Sequence, residues 1–206
     1  MRVAFIGSMG SGKTEAAKLL AEGGFTTLSF ATPVKQLAAN LMTDIESNYA
    51  KVVGVRSTDW DIDKINIWKG DPRIRHLLQF IGTELGREFY NTPEIWVEVM
   101  REKIRTRPYP YMLVDDCRFP NEAEMLKEEG FIICRINRNR QDIITHLVAK
   151  AEKQGTSFPE ALMEVQQMLR HPSETSLDGW PADVVIENNG TIEEFRSNLI
   201  KILDIE

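Results

Sequence analysis

A chain of 206 residues with 42% hydrophobic and 27% charged residues has the length of one domain, with room for a small inserted subdomain, and can bury a sizeable core. Its net charge of -6 argues against a nucleic-acid partner, because phosphate backbones bind clustered positive charge. Two cysteines, Cys117 and Cys134, are too few for a disulfide framework, and no apolar run is long enough to span a membrane, so a cytoplasmic protein with reduced core cysteines and no membrane partner is expected.

Val3-Ala4-Phe5-Ile6 is a short apolar run stopped by Gly7, as a strand buried on both faces reads. Thr14–Glu22 reads as a helix ended by Gly23-Gly24, and Phe25–Phe30 as a second strand. Thr32-Pro33 opens a helix expected through Met42. This βαβα opening implies a parallel sheet with helical crossovers. Residues 43–72, with Gly54, Gly70, Pro72, Trp60 and Trp68, show little periodicity and read as an irregular stretch. Arg75–Tyr90 and Glu94–Arg105 are expected helices. Tyr111–Val114 is a strand ending in Asp115-Asp116, Asn121–Glu129 a helix, and Phe131–Ile136 a strand. Two polar helices follow near Gln141–Lys153 and Pro159–Leu169, then a last strand, Val184–Ile186. Thr191 and Glu194 form a capping-box pattern for a final helix through Ile202. The expected fold class is α/β, three layers with a parallel sheet flanked by helices. In domain terms, residues 1–206 are expected to form a single domain, with 43–107 a helical ligand-binding insertion and 138–172 a lid region.

The chemistry begins at Gly7-Ser8-Met9-Gly10-Ser11-Gly12-Lys13-Thr14, which fits the P-loop pattern Gly-x-x-x-x-Gly-Lys-Ser/Thr. Such glycines let successive backbone N–H groups turn inward around phosphate oxygens, where a helix N-terminus adds favourable potential. Ser8, Gly10, Ser11, Gly12, Lys13 and Thr14 are therefore the expected ATP-binding residues. Lys13 would reach the outer phosphates, and the Thr14 hydroxyl would join a Mg²⁺ shell. Asp115 and Asp116 stand at a strand's carboxyl end, where open α/β sheets place ligands. Phosphoryl transfer is mostly positioning and charge neutralisation, so Lys35, Arg87, Arg118, Arg135, Arg138 and Arg140 are candidates, Lys35 and Arg118 foremost. The three histidines have no zinc-ligand spacing; His171, in His171-Pro172-Ser173-Glu174, is the one singled out.

Several segments together resemble the bacteriophage deoxynucleoside monophosphate kinases, the group of the T-even phage enzyme. They are the P-loop, Ala31-Thr32-Pro33-Val34-Lys35, Leu77-Leu78-Gln79-Phe80-Ile81-Gly82-Thr83-Glu84 and Asp116-Cys117-Arg118-Phe119-Pro120-Asn121-Glu122-Ala123. His171-Pro172-Ser173-Glu174 and Ala182–Gly190 complete the set, in family order along nearly the whole chain. The P-loop alone is widely shared, whereas the Asp116–Glu122 and His171–Glu174 pieces are far narrower. The resemblance implies ATP–Mg²⁺ as donor and a deoxynucleoside 5′-monophosphate as acceptor. It marks Asp116 over Asp115 as the acid beside the metal and places Lys35 and Arg118 near the acceptor phosphate, so that Lys13, Asp116 and Arg118 form the catalytic set. Gln79, Gly82, Thr83 and Arg87 would line the acceptor site with Glu122, His171 and Glu174, and the Asn188-Asn189-Gly190 turn would cradle adenine, with Asn189 in contact.

Two other functions fit parts of the pattern. A P-loop kinase acting on hydroxymethylated pyrimidines in DNA should carry a basic groove, which this acidic chain does not show. A nucleotide-dependent ATPase or switch should carry a water-positioning residue, and none is identifiable. Dephospho-coenzyme A kinase shares the expected fold and a similar final strand and turn, without its substrate motifs here. The sequence is compatible with a homodimer.

Overall fold

The computed structural model describes residues 1–54, 59–68, 71–89, 91–107 and 109–204. The chain opens with β1 (Arg2–Ile6), α1 (Lys13–Glu22) and β2 (Thr26–Leu28), then runs through α2 (Ala31–Val53), α3 (Ile62–Trp68), α4 (Pro72–Gln79), a π-helix (Phe80–Phe89) and α5 (Ile95–Thr106). It continues through β3 (Met112–Val114), α6 (Pro120–Glu128), β4 (Ile132–Asn137), α7 (Arg140–Lys153), α8 (Phe158–Met168), α9 (Pro172–Thr175), β5 (Val184–Glu187) and α10 (Ile192–Leu203). Two compact units result, one formed by Met1–Leu28 with Arg107–Glu206, the other by Ser29–Thr106.

The first unit holds the sheet, with strand order β2-β3-β1-β4-β5 and every pairing parallel. β1 lies at its centre, with Val3 opposite Leu113 on one side and Ile132 on the other. Alternate residues of a strand face opposite layers. On one face Val3, Phe5, Leu113, Cys134, Ile136 and Ile186 pack with Ala16, Ala17 and Leu20 of α1 and Phe195, Leu199 and Leu203 of α10. On the other, Ala4, Ile6 and Ile133 are equally buried, and α6 packs against β4. Burial on both faces explains why these strands read as continuous apolar runs. The expected three-layer α/β architecture is borne out. α7 and α8 pair through Ile143, Val148, Ala161, Val165 and Leu169, and the side chain of Met9 packs against that cluster. Both cysteines are buried and free, as expected; burial pushes the Cys134 thiol up to about 12, with the Asp183 charge adding to it.

The second unit is helical. Its core joins Ala38 and Ala39 of α2, Ile65 of α3, Ile74 of α4, Ile81 of the π-helix and Trp96 of α5. Two expectations are corrected here. The stretch 43–72 is not irregular throughout, since α2 continues to Val53 and α3 occupies Ile62–Trp68. Gly54, in the left-handed conformation with φ 73°, ends α2 by returning its N–H to the Ala50 carbonyl, a stop that glycine permits without strain. The single helix expected over Arg75–Tyr90 is instead α4 followed by the π-helix. Gly86 lies against the Trp96 indole so closely that a Cβ would stand 2.5 Å from the ring, and the indole N–H donates to the Gly82 carbonyl at 2.8 Å. The wider π turn coincides with this docking, as π segments commonly do with special packing or function. The second strand is also shorter than expected, because Phe30 already caps α2. Gly70 and Tyr90 lie outside the described residues.

Candidate active site

The loop between β1 and α1 is the centre of the first unit's polar chemistry. Gly7, Gly10 and Gly12 all have positive φ, at 139°, 77° and 113°. A side chain at Gly7 would meet the Ile136 carbonyl at 2.5 Å, and one at Gly12 the Asn188 amide at 2.4 Å, so glycine is required twice over at each position. The Lys13 ammonium folds back onto its own loop, donating to the Gly7 carbonyl at 2.5 Å and the Ser8 carbonyl at 2.9 Å. Burial pulls its pKa down to about 8, while the negative charges of Glu174 and Asp115 oppose that shift and the Arg118 charge adds to it. Ser11 is 1% exposed, and its hydroxyl has no hydrogen-bond partner among the described residues. Thr14 is exposed in the first turn of α1.

Arg118 follows the Asp115–Asp116 strand end, and its backbone is fixed by Glu122. That carboxylate, 3% exposed, accepts from the Arg118 N–H at 2.8 Å and the Phe119 N–H at 3.2 Å, closing the N-terminus of α6. Sequence reasoning placed Glu122 with the substrate; here it shapes the loop that carries Arg118. Glu122→Ala is therefore expected to cost about 2 kcal/mol, because two loop donors lose their acceptor. A urea titration should show a lower midpoint at an unchanged slope. Cys117, between Asp116 and Arg118, is buried, and burial with the Glu122 and Asp116 charges pushes its thiol well above the ordinary range.

Glu174 reaches the loop from a distance of 165 residues in sequence. One of its oxygens accepts from the Met9 N–H at 2.6 Å, and the other is ion-paired with the Arg118 guanidinium. Its side chain is 4% exposed against 40% for Arg118. His171 stays outside this cluster. It is exposed and caps α9, its Nδ1 accepting from the Ser173 N–H at 3.2 Å.

Of the two asparagines after β5, Asn188 rather than Asn189 touches the P-loop. Its amide donates to the Ser11 carbonyl at 2.7 Å, while the Asn189 side chain accepts from the Asn139 N–H at 2.7 Å and donates to Glu187 at 3.1 Å. Sequence reasoning quoted Asn188 within the turn but named only Asn189; the signal available was its place as the first residue past an apolar strand. Arg138 donates to the Gly10 carbonyl at 3.3 Å. Arg135 is taken up structurally by the Leu177 and Trp180 carbonyls, at 2.8 and 2.7 Å. Arg140, exposed, opens α7.

The remaining expected residues, Lys35, Gln79, Gly82, Thr83 and Arg87, belong to the second unit. Lys35 is near the start of α2 and Gln79 ends α4, with Gly82, Thr83 and Arg87 in the π-helix. The Val34 side chain lies alongside Gly82, which brings the start of α2 next to the Gly82–Thr83 stretch. Among the described residues no group of three or more His, Cys, Asp or Glu side chains could hold a metal ion by itself. No described helix is long and apolar enough to cross a membrane.

No protein-family model matches the chain. A protein of Acanthamoeba polyphaga mimivirus, named as a candidate deoxynucleotide monophosphate kinase, is 28% identical over 98% of this chain and 95% of its own length. The deoxynucleoside-5′-monophosphate kinase of Escherichia phage T5 is 39% identical over 28% of this chain and 23% of its own. The chain is thus similar along its whole length to a viral protein of that name, and in a shorter stretch to a phage one. The resemblance read from the P-loop, the Asp116–Glu122 segment and the His171–Glu174 segment is borne out. Beyond these viral relatives, the solved dephospho-CoA kinase of Campylobacter jejuni superposes with a TM-score of 0.51 over 98% of this chain and 95% of that one, at 14% identity. At that identity the likeness concerns the fold alone, and it agrees with the parallel sheet seen here.

Proposed function

We propose that the chain transfers the γ-phosphoryl group of ATP to a deoxynucleoside 5′-monophosphate, forming the diphosphate and ADP. The observation that carries this reading is the P-loop with Arg118 held against it through Glu174: a donor-phosphate cradle beside a part-exposed cation past the strand end. The names of the viral relatives support the acceptor class.

The loop fits a polyphosphate. Its glycines have the positive φ that turns N–H groups inward, and the buried Ser11 hydroxyl lacks a partner among the described residues. Lys13 would leave the Gly7 and Ser8 carbonyls for the donor's outer phosphates, which accept a charged hydrogen bond better than neutral carbonyls do. Thr14 and Asp116 would hold Mg²⁺, which neutralises charge on the donor phosphates, and Asp115 adds a carboxylate whose field already reaches Lys13. Asn188 braces the loop from beneath at Ser11. Arg118 would draw the acceptor phosphate into line, its guanidinium matching two phosphate oxygens. We assign recognition of the rest of the acceptor to Lys35, Gln79, Gly82, Thr83 and Arg87 of the second unit, and closure over the donor to α7 and α8.

An ADP-release assay with each of the four deoxynucleoside monophosphates, with duplex DNA carrying hydroxymethylated pyrimidines, and with ATP alone tests the proposal. Release is expected with one or more free monophosphates and close to background in the other two arms. Release with DNA only, or at full rate with ATP alone, would overturn it.

A further inference from the structure

We infer that the Glu174 carboxylate is an internal stand-in for a donor phosphate, seated in the P-loop and holding Arg118 until the donor displaces it. The inference rests on the donor site proposed above and concerns what fills that site beforehand. Glu174 offers what a phosphate offers, namely acceptor-only oxygens and negative charge. It spends one oxygen on the Met9 N–H, a donor of the P-loop itself, and the other on Arg118. Its side chain is the inner member of the ion pair, more than nine-tenths hidden where its partner is 40% exposed. Lys13 completes the arrangement by bonding its own loop, so both cations and one N–H group of the cradle have partners within the chain.

A triphosphate seated at the Met9 N–H competes for a donor that the carboxylate already holds, and with no cation between them the two like charges repel. Donor binding must therefore move Glu174 out. The segment that carries it suits such a move. α9 is a single turn whose own bonds are local: Ser173 N–H to His171 Nδ1, Ser176 N–H to the Pro172 carbonyl, and the Thr175 hydroxyl to the His171 carbonyl. Its tie to the sheet, Arg135 of β4 at the Leu177 and Trp180 carbonyls, lies beyond the turn, so the Glu174 side chain can swing away with that tie in place. When Glu174 leaves, Arg118 loses its partner and becomes available to a phosphate, so the same residue that yields to the donor frees the cation proposed for the acceptor.

The exchange predicts that neutralising Glu174 helps the donor. Isothermal titration of the full chain with the non-hydrolysable analogue AMP-PNP and Mg²⁺, and separately with inorganic tripolyphosphate, should show Glu174→Gln binding both about 10-fold more tightly than the natural protein, because the competing internal state is weakened. Glu174→Ala, which also removes the acceptor from Met9, should do the same, and thermal melts of both variants establish that they fold. Unchanged or weaker binding by both folded variants would overturn the exchange and make Glu174 a plain anchor for Arg118. If neither the natural protein nor the variants bind AMP-PNP or tripolyphosphate, the exchange falls together with the donor-site reading.

Discussion

Lys13→Ala is expected to lower phosphoryl transfer about 10³-fold or more while leaving the fold intact, since in the proposed reaction its charge would stabilise the donor phosphates as they part. The structure gives the reason for both halves of that result. The ammonium is desolvated by the loop that surrounds it, which brings its pKa down to about 8, and a cation stripped of water acts on a phosphate far more strongly than one at the surface. Yet its present partners are only the Gly7 and Ser8 carbonyls of its own loop, so removing it leaves no distant element unsupported. The apolar layer under α1, formed by Ala16, Ala17 and Leu20, does not involve it. Stopped-flow or steady-state turnover compared with the urea midpoint separates the two effects. Retention of more than a tenth of the activity would falsify the P-loop assignment. Loss of activity together with a collapsed urea midpoint would instead make Lys13 a structural residue.

The centre of the sheet was legible in the sequence because β1 and β3, buried on both faces, leave uninterrupted apolar runs closed by Gly7 and Asp115, and the last strand by its apolar residues ahead of the Asn188–Gly190 turn. The final helix was legible from Thr191 and Glu194, whose hydroxyl and carboxylate do cap it, at 3.2 and 2.8 Å. The second unit was less so. α2 past Met42 carries Ile45, Tyr49, Val52 and Val53, all exposed, interleaved with polar residues, so its apolar spacing marks no core stripe and only Ala50 turns inward. The clue that could have extended it was Gly54 as a left-handed stop. The π-helix has no local signature at all, because it accompanies Gly86 and Gly82 meeting an indole that arrives from α5.

The site divides in the same way. Residues whose role follows from neighbours in sequence, such as Lys13 and the glycines, were identifiable from spacing. Glu122 was visible as part of a narrow motif, but its task of holding the Arg118 and Phe119 N–H groups is a capping interaction that pattern alone did not separate from ligand binding. Glu174 was placed with the acceptor by resemblance, whereas its contact with Met9 spans 165 residues and depends on where α9 lands against the loop after β1. No spacing rule reaches across such a distance. The Asn188–Ser11 bond, 177 residues apart, was hidden for the same reason.

Arg118 carries the second large effect. Arg118→Ala should lower kcat/KM for the acceptor by about 10² to 10³, on the scale of removing one charged stabiliser, and should raise the acceptor's KM far more than that of ATP. Arg118→Lys should recover little of this. The guanidinium presents a planar fork fixed at its base by the Glu122-held backbone, and a lysine ammonium at the end of a flexible stem cannot match two phosphate oxygens at once. A site built around that fork should also reject an acceptor without a phosphate, so the corresponding deoxynucleoside should react slower by a factor on the order of 10⁴. The two measurements bear on each other. If the deoxynucleoside is rejected but Arg118→Lys is fully active, another cation recognises the phosphate, with Lys35 the first to examine. If Arg118→Ala alters the KM of ATP and leaves that of the acceptor alone, Arg118 serves the donor, and its pairing with a carboxylate seated at Met9 becomes a donor-side contact on both of its faces.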